Sequence, residues 1–238
     1  MPGSLVLFVL ILISAIPVIA VYIWYRLAKY QFSLIWFLLA LLAGAAAVFP
    51  ALFLRELLNL SIPSGGRLNL FYQFFVRTAS TEEVSRLIML SIFFFLSSRI
   101  TKENSRTLST EQFPSWDKIR KGAAGGLVAG LGFALLETAA YGASNANILL
   151  LRAVTAAPLH AACGSRVGIA SVIFRSNPFQ ALMRLLTAIA IHGIFNFMCN
   201  LPGFPSIMAV LIALSAVASS ILTIRSSWNN EDSSQPNP

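Results

Sequence analysis

Long apolar stretches separated by short polar segments run through most of the chain. About 20 consecutive apolar residues are enough for a helix to cross a bilayer. By this measure the pattern predicts membrane-spanning helices at residues 5–25, 33–54, 81–98, 122–142, 148–174, 179–200 and 207–224. Pro158 interrupts the fifth of these stretches. The expected fold is therefore all-α, a polytopic membrane helix bundle with about seven transmembrane helices.

The segments between the apolar stretches differ in kind. Residues 55–79 are mixed in character, and the aromatic-rich stretch 68–76 is too short to span, so we expect an interfacial or re-entrant segment there. Residues 99–121 form a polar, basic loop. Residues 226–238 are rich in Pro, Asn and Ser, which predicts a disordered tail. A single transmembrane domain is expected over residues 1–225, followed by this tail.

The composition agrees with a membrane protein. Of the residues, 57% are hydrophobic and 11% are charged, whereas soluble domains contain about 25% charged residues. The net charge of +8 could indicate a nucleic-acid partner, but the basic residues cluster in loops between apolar stretches, as orientation signals do. We therefore expect the lipid bilayer, and no nucleic acid, as a partner. Cys163 and Cys199 lie in apolar stretches without a CxxC spacing, which predicts buried free thiols.

The basic residues also predict an orientation. Residues 1–4 lack the basic region of a signal peptide, and the first positive charges follow the first apolar stretch. With the N-terminus outside, the outer segments hold Arg55, Arg67 and Arg77. The cytoplasmic loops and flanks then hold Arg26, Lys29, Arg99, Lys102, Arg106, Lys118, Arg120, Lys121, Arg175, Arg184 and Arg225. This asymmetry favours an outer N-terminus and a cytoplasmic C-terminus.

Ionisable side chains lie at membrane depth in several of the predicted helices. Glu82 and Glu83 begin the third helix on its outer side. At 1.5 Å per residue, Glu137 lies about 8 Å, His192 about 12 Å and His160 about 18 Å below the outer ends of their helices. Each charge at the bilayer centre costs roughly 2.5–3.5 kcal/mol, so such residues are expected to face a polar interior. Their shared depth predicts one wet pocket beneath the outer leaflet.

Small residues predict which helix faces meet. The fourth predicted helix carries a small-xxx-small row, the surface that lets helices approach closely, formed by Gly122, Gly126 and Gly130. Glu137 lies seven residues further along the same face. His160 shares a similar row with Ala156, Gly164 and Gly168. His192 and Asn196 are four residues apart and therefore face the same way. All three faces are expected to point into the bundle.

These residue types can support hydrolysis in two ways. A partly buried carboxylate can act as general base on a water, while His and Asn side chains donate to the developing oxyanion. Alternatively, His160, His192 and Glu137 could bind Zn²⁺ with an open position for water, and Glu82 or Glu83 would be the base. The sequence leaves both schemes open.

Four short motifs in chain order resemble the PrsW family of intramembrane proteases, within the larger group of CAAX prenyl endopeptidases and bacteriocin-processing proteins. That family shows a Glu-Glu pair followed by a basic residue, a Gly-Phe-Ala-x-x-Glu-Asn segment, a membrane His and a final His-x-x-x-Asn. Here they stand as Glu82-Glu83 with Arg86, Gly132-Phe133-Ala134-Leu135-Leu136-Glu137-Thr138, His160, and His192 with Asn196. Arg86 replaces the expected Lys, and Thr138 replaces the Asn.

The resemblance implies a bacterial inner-membrane protease that cuts a single-span, membrane-anchored regulatory protein, such as an anti-sigma factor, near the outer face. It implies Glu82 and Glu83 as catalytic carboxylates, and His160 and His192 as metal ligands or oxyanion donors. Family members are called metalloproteases, whereas the CAAX relatives are argued to use a glutamate-activated water. We also expect the basic side chains of Arg86 and Arg152 to contact substrate.

Two other classes of function compete with this interpretation. A transporter or proton relay also uses inward-facing carboxylates and histidines, but the paired broken helices and internal repeats typical of transporters are not evident in the sequence. A non-catalytic scaffold of the same fold is the other alternative, because the Aph subunit of gamma-secretase is a distant relative with membrane histidines. The pattern predicts no particular oligomeric state.

Overall fold

The computed structural model describes residues 2–30, 32–59, 66–102, 116–142, 152, 154–201 and 204–232. Within these ranges the regular structure is entirely helical, which confirms the predicted all-α class. The α-helices are α1 (Pro2–Leu27), α2 (Leu34–Ala46), α3 (Val48–Leu57), α4 (Arg67–Phe71), α5 (Thr81–Lys102), α6 (Trp116–Gly142), α7 (Ala156–Ile173), α8 (Pro178–Cys199) and α9 (Phe204–Asp232). A π-helix, Tyr72–Ser80, lies between α4 and α5.

Four stretches of the described chain are long and apolar enough to cross a membrane: Leu34–Leu57, Asp117–Ala140, Pro178–Cys199 and Ile207–Ser226. The chain is therefore an integral membrane protein of the predicted helical class. Helices α5 and α7, which carry charged and imidazole side chains described below, are not among these four stretches. The count of seven spans stays a prediction.

The predicted second span, residues 33–54, is a pair of consecutive helices. Ser33 caps α2, since its hydroxyl oxygen accepts a hydrogen bond from the Trp36 backbone N–H at 3.1 Å. At Ala47 the backbone N–H is shared between the carbonyl oxygens of Ala43 and Gly44, and α3 begins at the next residue. Both α2 and α3 pack against α5.

Helix α7 is the centre of the bundle and packs against α5, α6, α8 and α9. Its closest neighbour is α6, and the glycine rows predicted from the sequence form this contact. A Cβ atom on Gly126 would lie 2.1 Å from the Gly164 carbonyl oxygen, and one on Gly130 would lie 2.0 Å from the His160 carbonyl oxygen. Both distances are too short for a real Cβ, so the glycines set the spacing that brings Glu137 beside His160.

We expect Gly130→Ala to destabilise the protein and to lower its activity, because the added methyl group must push the His160 backbone away from α6. Overpacking of this kind costs roughly 1–3 kcal/mol. Gly125→Ala on the same helix is the matched control, since its methyl group would meet only the ring ends of Phe94 and Trp36 at 2.9 and 3.1 Å. Thermal unfolding in detergent measures both variants, and equal losses would contradict the proposed spacing role.

The segment before Glu82 is helical. Residues 68–76 belong to a helical segment that runs from α4 through the π-helix into α5 without interruption, and their predicted interfacial or re-entrant position stays a prediction. Two hydroxyls hold the junction: Ser80 donates to the Phe75 carbonyl oxygen at 2.7 Å, and Thr81 donates to that of Arg77 at 2.8 Å. The two carboxylates therefore lie inside a long helical segment, immediately after a π-helix, a feature often found at functional sites.

Two predicted boundaries shift. The fifth stretch was expected to break at Pro158, but Pro158 lies in the first turn of α7, where its missing N–H costs little, and the break is at Thr155 (φ −120°, ψ −62°). The last helix runs to Asp232, so the predicted disordered tail begins within a helix; residues 233–238 lie outside the described part. The single-domain organisation over residues 1–225 stays a prediction.

Candidate active site

Four helices bring their acidic, basic and imidazole side chains into one cluster. Helix α5 supplies Glu82, Glu83 and Arg86, α6 supplies Glu137, α7 supplies His160 and α8 supplies His192. All of these are buried except Glu137, whose side chain is 20% exposed. The convergence predicted from membrane depth and helix faces is therefore what the structure shows.

Arg86 links Glu83 on α5 to His160 on α7. Its NH1 group donates to Glu83 Oε2 at 2.6 Å and its NH2 group donates to His160 Nδ1 at 3.1 Å. The guanidinium also lies 4.6 Å from the centroid of the Phe133 ring, a cation–π contact. Arg86 is completely buried. Its predicted contact with substrate therefore does not match its position, which is that of an internal cation balancing a buried carboxylate.

The contacts of His160 define its tautomer. Because Nδ1 accepts a hydrogen bond from Arg86, the ring proton lies on Nε2 and is donated to Glu137 Oε2 at 2.7 Å. The same carboxylate oxygen lies 2.7 Å from NH2 of Arg152. Glu137 thus links a buried histidine to a partly exposed arginine, and Arg152 stays a predicted substrate contact.

His192 has one engaged ring nitrogen and one that faces a carboxylate. Its Nδ1 lies 2.7 Å from Glu83 Oε1 and donates to it, since Glu83 is already paired with the Arg86 cation. In neutral His192 the Nε2 lone pair then points toward Glu82 Oε2, 3.6 Å away. That oxygen is buried and has no hydrogen bond to any described residue. Two acceptors that face each other require a proton, a water or a cation between them.

The donor atoms at this point suit a metal ion. Ligand atoms of Glu82, His160 and His192 all lie within 4.8 Å of one another, and one carboxylate with two imidazoles is a donor set used by catalytic zinc sites. The Glu83 carboxylate behind His192 is the kind of partner that orients a metal-binding histidine. His160 could bind only if its contact with Glu137 or Arg86 opened.

This set differs from the predicted zinc ligands in one residue. The sequence suggested Glu137 with the two histidines, whereas the structure groups Glu82 with them and places Glu137 on the His160 ring. Helix periodicity did not distinguish these carboxylates, because the choice depends on how α5 and α6 are rotated around α7.

Arg55 is a member of the site that the sequence did not single out. It lies in α3, with NH2 3.6 Å from Glu82 Oε1 and 3.0 Å from the Thr78 hydroxyl oxygen, to which it donates. Its side chain is 30% exposed. A signal was present, since Arg55 and Glu82 were both expected at the outer boundary.

Asn196 follows His192 by one turn of α8 and is half-buried. Its backbone carbonyl accepts a hydrogen bond from the Asn200 side chain at 2.9 Å. Its own side chain makes no hydrogen bond to the cluster within the described structure, so the predicted role as an oxyanion donor stays a prediction.

A buried carboxylate–histidine cluster inside apolar helices defines a membrane protein with a polar site between its helices. The family model described as PrsW family intramembrane metalloprotease matches residues 33–220, a range that contains every residue of the cluster. The chain belongs to the PrsW family, which is a family of intramembrane proteases. Comparisons with curated proteins and with solved structures give no match.

Proposed function

We propose that this protein is an intramembrane endopeptidase in which Glu82 is the essential carboxylate. The observation that carries the proposal is the buried Glu82 Oε2, which faces His192 Nε2 at 3.6 Å and has no hydrogen bond to a described residue. Glu83 and Glu137, by contrast, are already engaged by a cation and a histidine each. Glu82 is therefore the carboxylate best able to act on a water molecule.

In the simplest scheme Glu82 takes a proton from water while the water oxygen attacks the peptide carbonyl carbon. The C–N bond of the resulting tetrahedral intermediate then breaks, and Glu82 returns the proton to the leaving amine. Glu83 holds the His192 ring in place through Nδ1, and Arg86 keeps Glu83 charged. Asn196 and Arg152 are proposed to contact the substrate.

The site also fits zinc, with Glu82, His160 and His192 as the residues that would hold it. When bound, zinc would polarise the scissile carbonyl and acidify a water. Glu82 would then be occupied as a ligand. Glu137, which is partly exposed and hydrogen-bonded to His160, would be the carboxylate left to accept a proton.

The proposed substrate is a single-span regulatory membrane protein such as an anti-sigma factor, cut near the outer face of a bacterial inner membrane. The motif resemblance supports the substrate class. The charge asymmetry supports an outer N-terminus and a cytoplasmic C-terminus, which would place the cluster under the outer leaflet.

Co-expression with a single-span reporter tests the proposal. We expect His160→Ala and His192→Ala to lower cleavage at least tenfold, because each removes a ring that contacts a cluster carboxylate. Glu56→Gln is the control, since Glu56 is an exposed carboxylate on α3. If the wild type leaves the reporter intact, or all variants cut it equally well, the endopeptidase proposal fails.

Metal dependence is tested on purified protein. If the three donor atoms hold zinc in the active protein, a chelator will reduce cleavage at least tenfold and added Zn²⁺ will restore it. The metal content of wild type and His192→Ala, measured by mass spectrometry, is the companion readout, and the variant should retain less zinc. Activity that is insensitive to chelators would instead favour the metal-free scheme.

A further inference from the structure

A shallow groove follows one face of α9, and its first part lies where α9 meets α7 and α8. Its apolar part has a volume of about 400 Å³ and is lined by Arg166, Ile191, Met208, Leu211, Ile212, Ser215 and Ala216. Its polar part has a volume of about 560 Å³ and is lined by Ser219, Leu222, Thr223, Arg225 and Ser226. The two parts meet where Arg166 NH2 donates to the Ser219 hydroxyl oxygen at 3.4 Å.

The lining residues of α9 recur every three or four positions, so they form one continuous stripe along the helix. The stripe changes from apolar to hydroxyl-bearing at Ser215, and the polar part lies toward the end of the bundle that carries Arg175 and Arg225. Such a groove has the polarity profile of a membrane lipid, with a polar head at one end and an apolar chain along the rest.

Arg166 brings a cation to the boundary between the two parts. Its NH1 group donates to the carbonyl oxygens of Ala162 and Ala216 at 2.9 and 3.3 Å, and to the Ser220 hydroxyl oxygen at 3.1 Å. All these partners are neutral. Within the described structure no carboxylate pairs with Arg166, so its charge is solvated by dipoles alone.

Arg184 adds a second cation close by, on α8. Its Nε atom is buried without a hydrogen bond to any described residue. Arg184 lies two turns before Ile191 on the same face of α8, and Ile191 lines the apolar part together with Arg166. Arg225, on the polar part of the groove, also lacks an ion pair with a described carboxylate. Neighbouring cations in a membrane are costly unless an anion joins them.

We propose that this groove binds an anionic glycerophospholipid. The phosphate lies between Arg166, Arg184 and the Ser219 hydroxyl, and one acyl chain lies along the apolar part beside Met208 and Leu211. A lipid fits better than a soluble anion because the site joins a cationic end to an apolar groove. A zwitterionic headgroup carries no net charge and would leave the cations uncompensated.

Arg166 and Arg184 lie at a depth that a lipid of the nearer leaflet can reach. Arg184 lies six residues after the first residue of α8 and Arg166 seven before the last residue of α7. Both Cα atoms are therefore about 10 Å inside the ends of their helices. The acyl chain then runs from the cations toward the bundle centre, the direction that chains of that leaflet take.

Native mass spectrometry of the detergent-solubilised full chain tests this proposal, with phosphatidylglycerol and phosphatidylcholine as probes. We expect the wild type to retain phosphatidylglycerol preferentially. Arg184→Gln should lower that preference about fivefold, and a double variant with Arg225→Gln should lower it further. Arg184→Gln removes no hydrogen bond to a described residue, so it is expected to fold. Arg175→Gln, an exposed arginine in the turn after α7, is the control and should keep the preference.

Several outcomes would overturn the proposal. These are a wild type without preference for phosphatidylglycerol, equal preference in Arg184→Gln and wild type, or an equal loss in Arg175→Gln. Complete displacement of the lipid by inorganic phosphate would show a simple anion site and would also overturn it. Size-exclusion profiles verify that each variant is folded. The readout does not depend on protease activity, so it is independent of the proposed function.

Discussion

Replacement of Glu82 by Gln is expected to lower the rate of peptide cleavage by roughly 10²- to 10⁴-fold, the usual contribution of a general base. Gln has the same size but cannot take a proton from water, and it is a poor zinc ligand. Because Glu82 Oε2 has no hydrogen bond to a described residue, the stability of the fold should change little. Cleavage by purified protein in proteoliposomes measures the first effect, and thermal unfolding measures the second.

Two further variants serve as comparisons for Glu82→Gln. Glu56→Gln removes an exposed carboxylate from α3 and should leave the rate unchanged. Arg55→Gln removes the cation 3.6 Å from Glu82 Oε1, so we expect a smaller loss of rate than in Glu82→Gln. Activity of Glu82→Gln within twofold of the wild type would rule out Glu82 as the essential carboxylate.

Replacement of Arg86 by Met is expected to destabilise the protein by about 3–5 kcal/mol, because it leaves a buried carboxylate without its cation. Arg86 and Glu83 are both completely buried and their charged atoms are 2.6 Å apart. The double variant Glu83→Gln/Arg86→Met removes both charges and should recover part of the stability, but no activity. Unfolding in mixed detergent micelles gives the free energies.

Lys121→Met is the matched control for Arg86→Met. Lys121 lies 2.6 Å from Asp117, the same separation as in the buried pair, but its side chain is 51% exposed. Exposed ion pairs contribute about 0–1 kcal/mol, so this variant should differ little from the wild type. If both single variants lose the same stability, burial does not determine the strength of the Arg86–Glu83 interaction.

The candidate site could be predicted from the sequence to a large extent. Glu83, Glu137, His160 and His192 were identified by their depth in apolar stretches, and they do meet in one cluster. The physical reason is that a charge facing lipid is too costly, so each such residue is expected to face the interior of the bundle. The cost of burying a charge does not predict which residues, far apart in the chain, contact each other. For that reason Arg55 was missed and Arg86 was assigned to the substrate.

Some features of the helices could likewise be predicted from the sequence, and others could not. The start of α2 at Ser33 and the close packing of the α6 and α7 glycine rows followed from local chemistry and spacing. The continuous helix through Tyr72–Ser80 did not, because aromatic and polar residues in a short stretch are also typical of an interfacial segment. This segment packs against α8, where the Phe75 ring meets Gly193.

The sequence by itself determined that the chain is a helical membrane protein and which polar residues must point inward, since hydrophobicity and burial cost act on each residue separately. Only the tertiary structure decided how those residues pair. Glu83 pairs with Arg86 and His192, and Glu137 pairs with His160 and Arg152. One oxygen of Glu82 has no hydrogen bond to a described residue. These pairings depend on the relative rotation of four helices. That rotation is set by side-chain packing and glycine contacts across the whole bundle, which no single stretch of sequence contains.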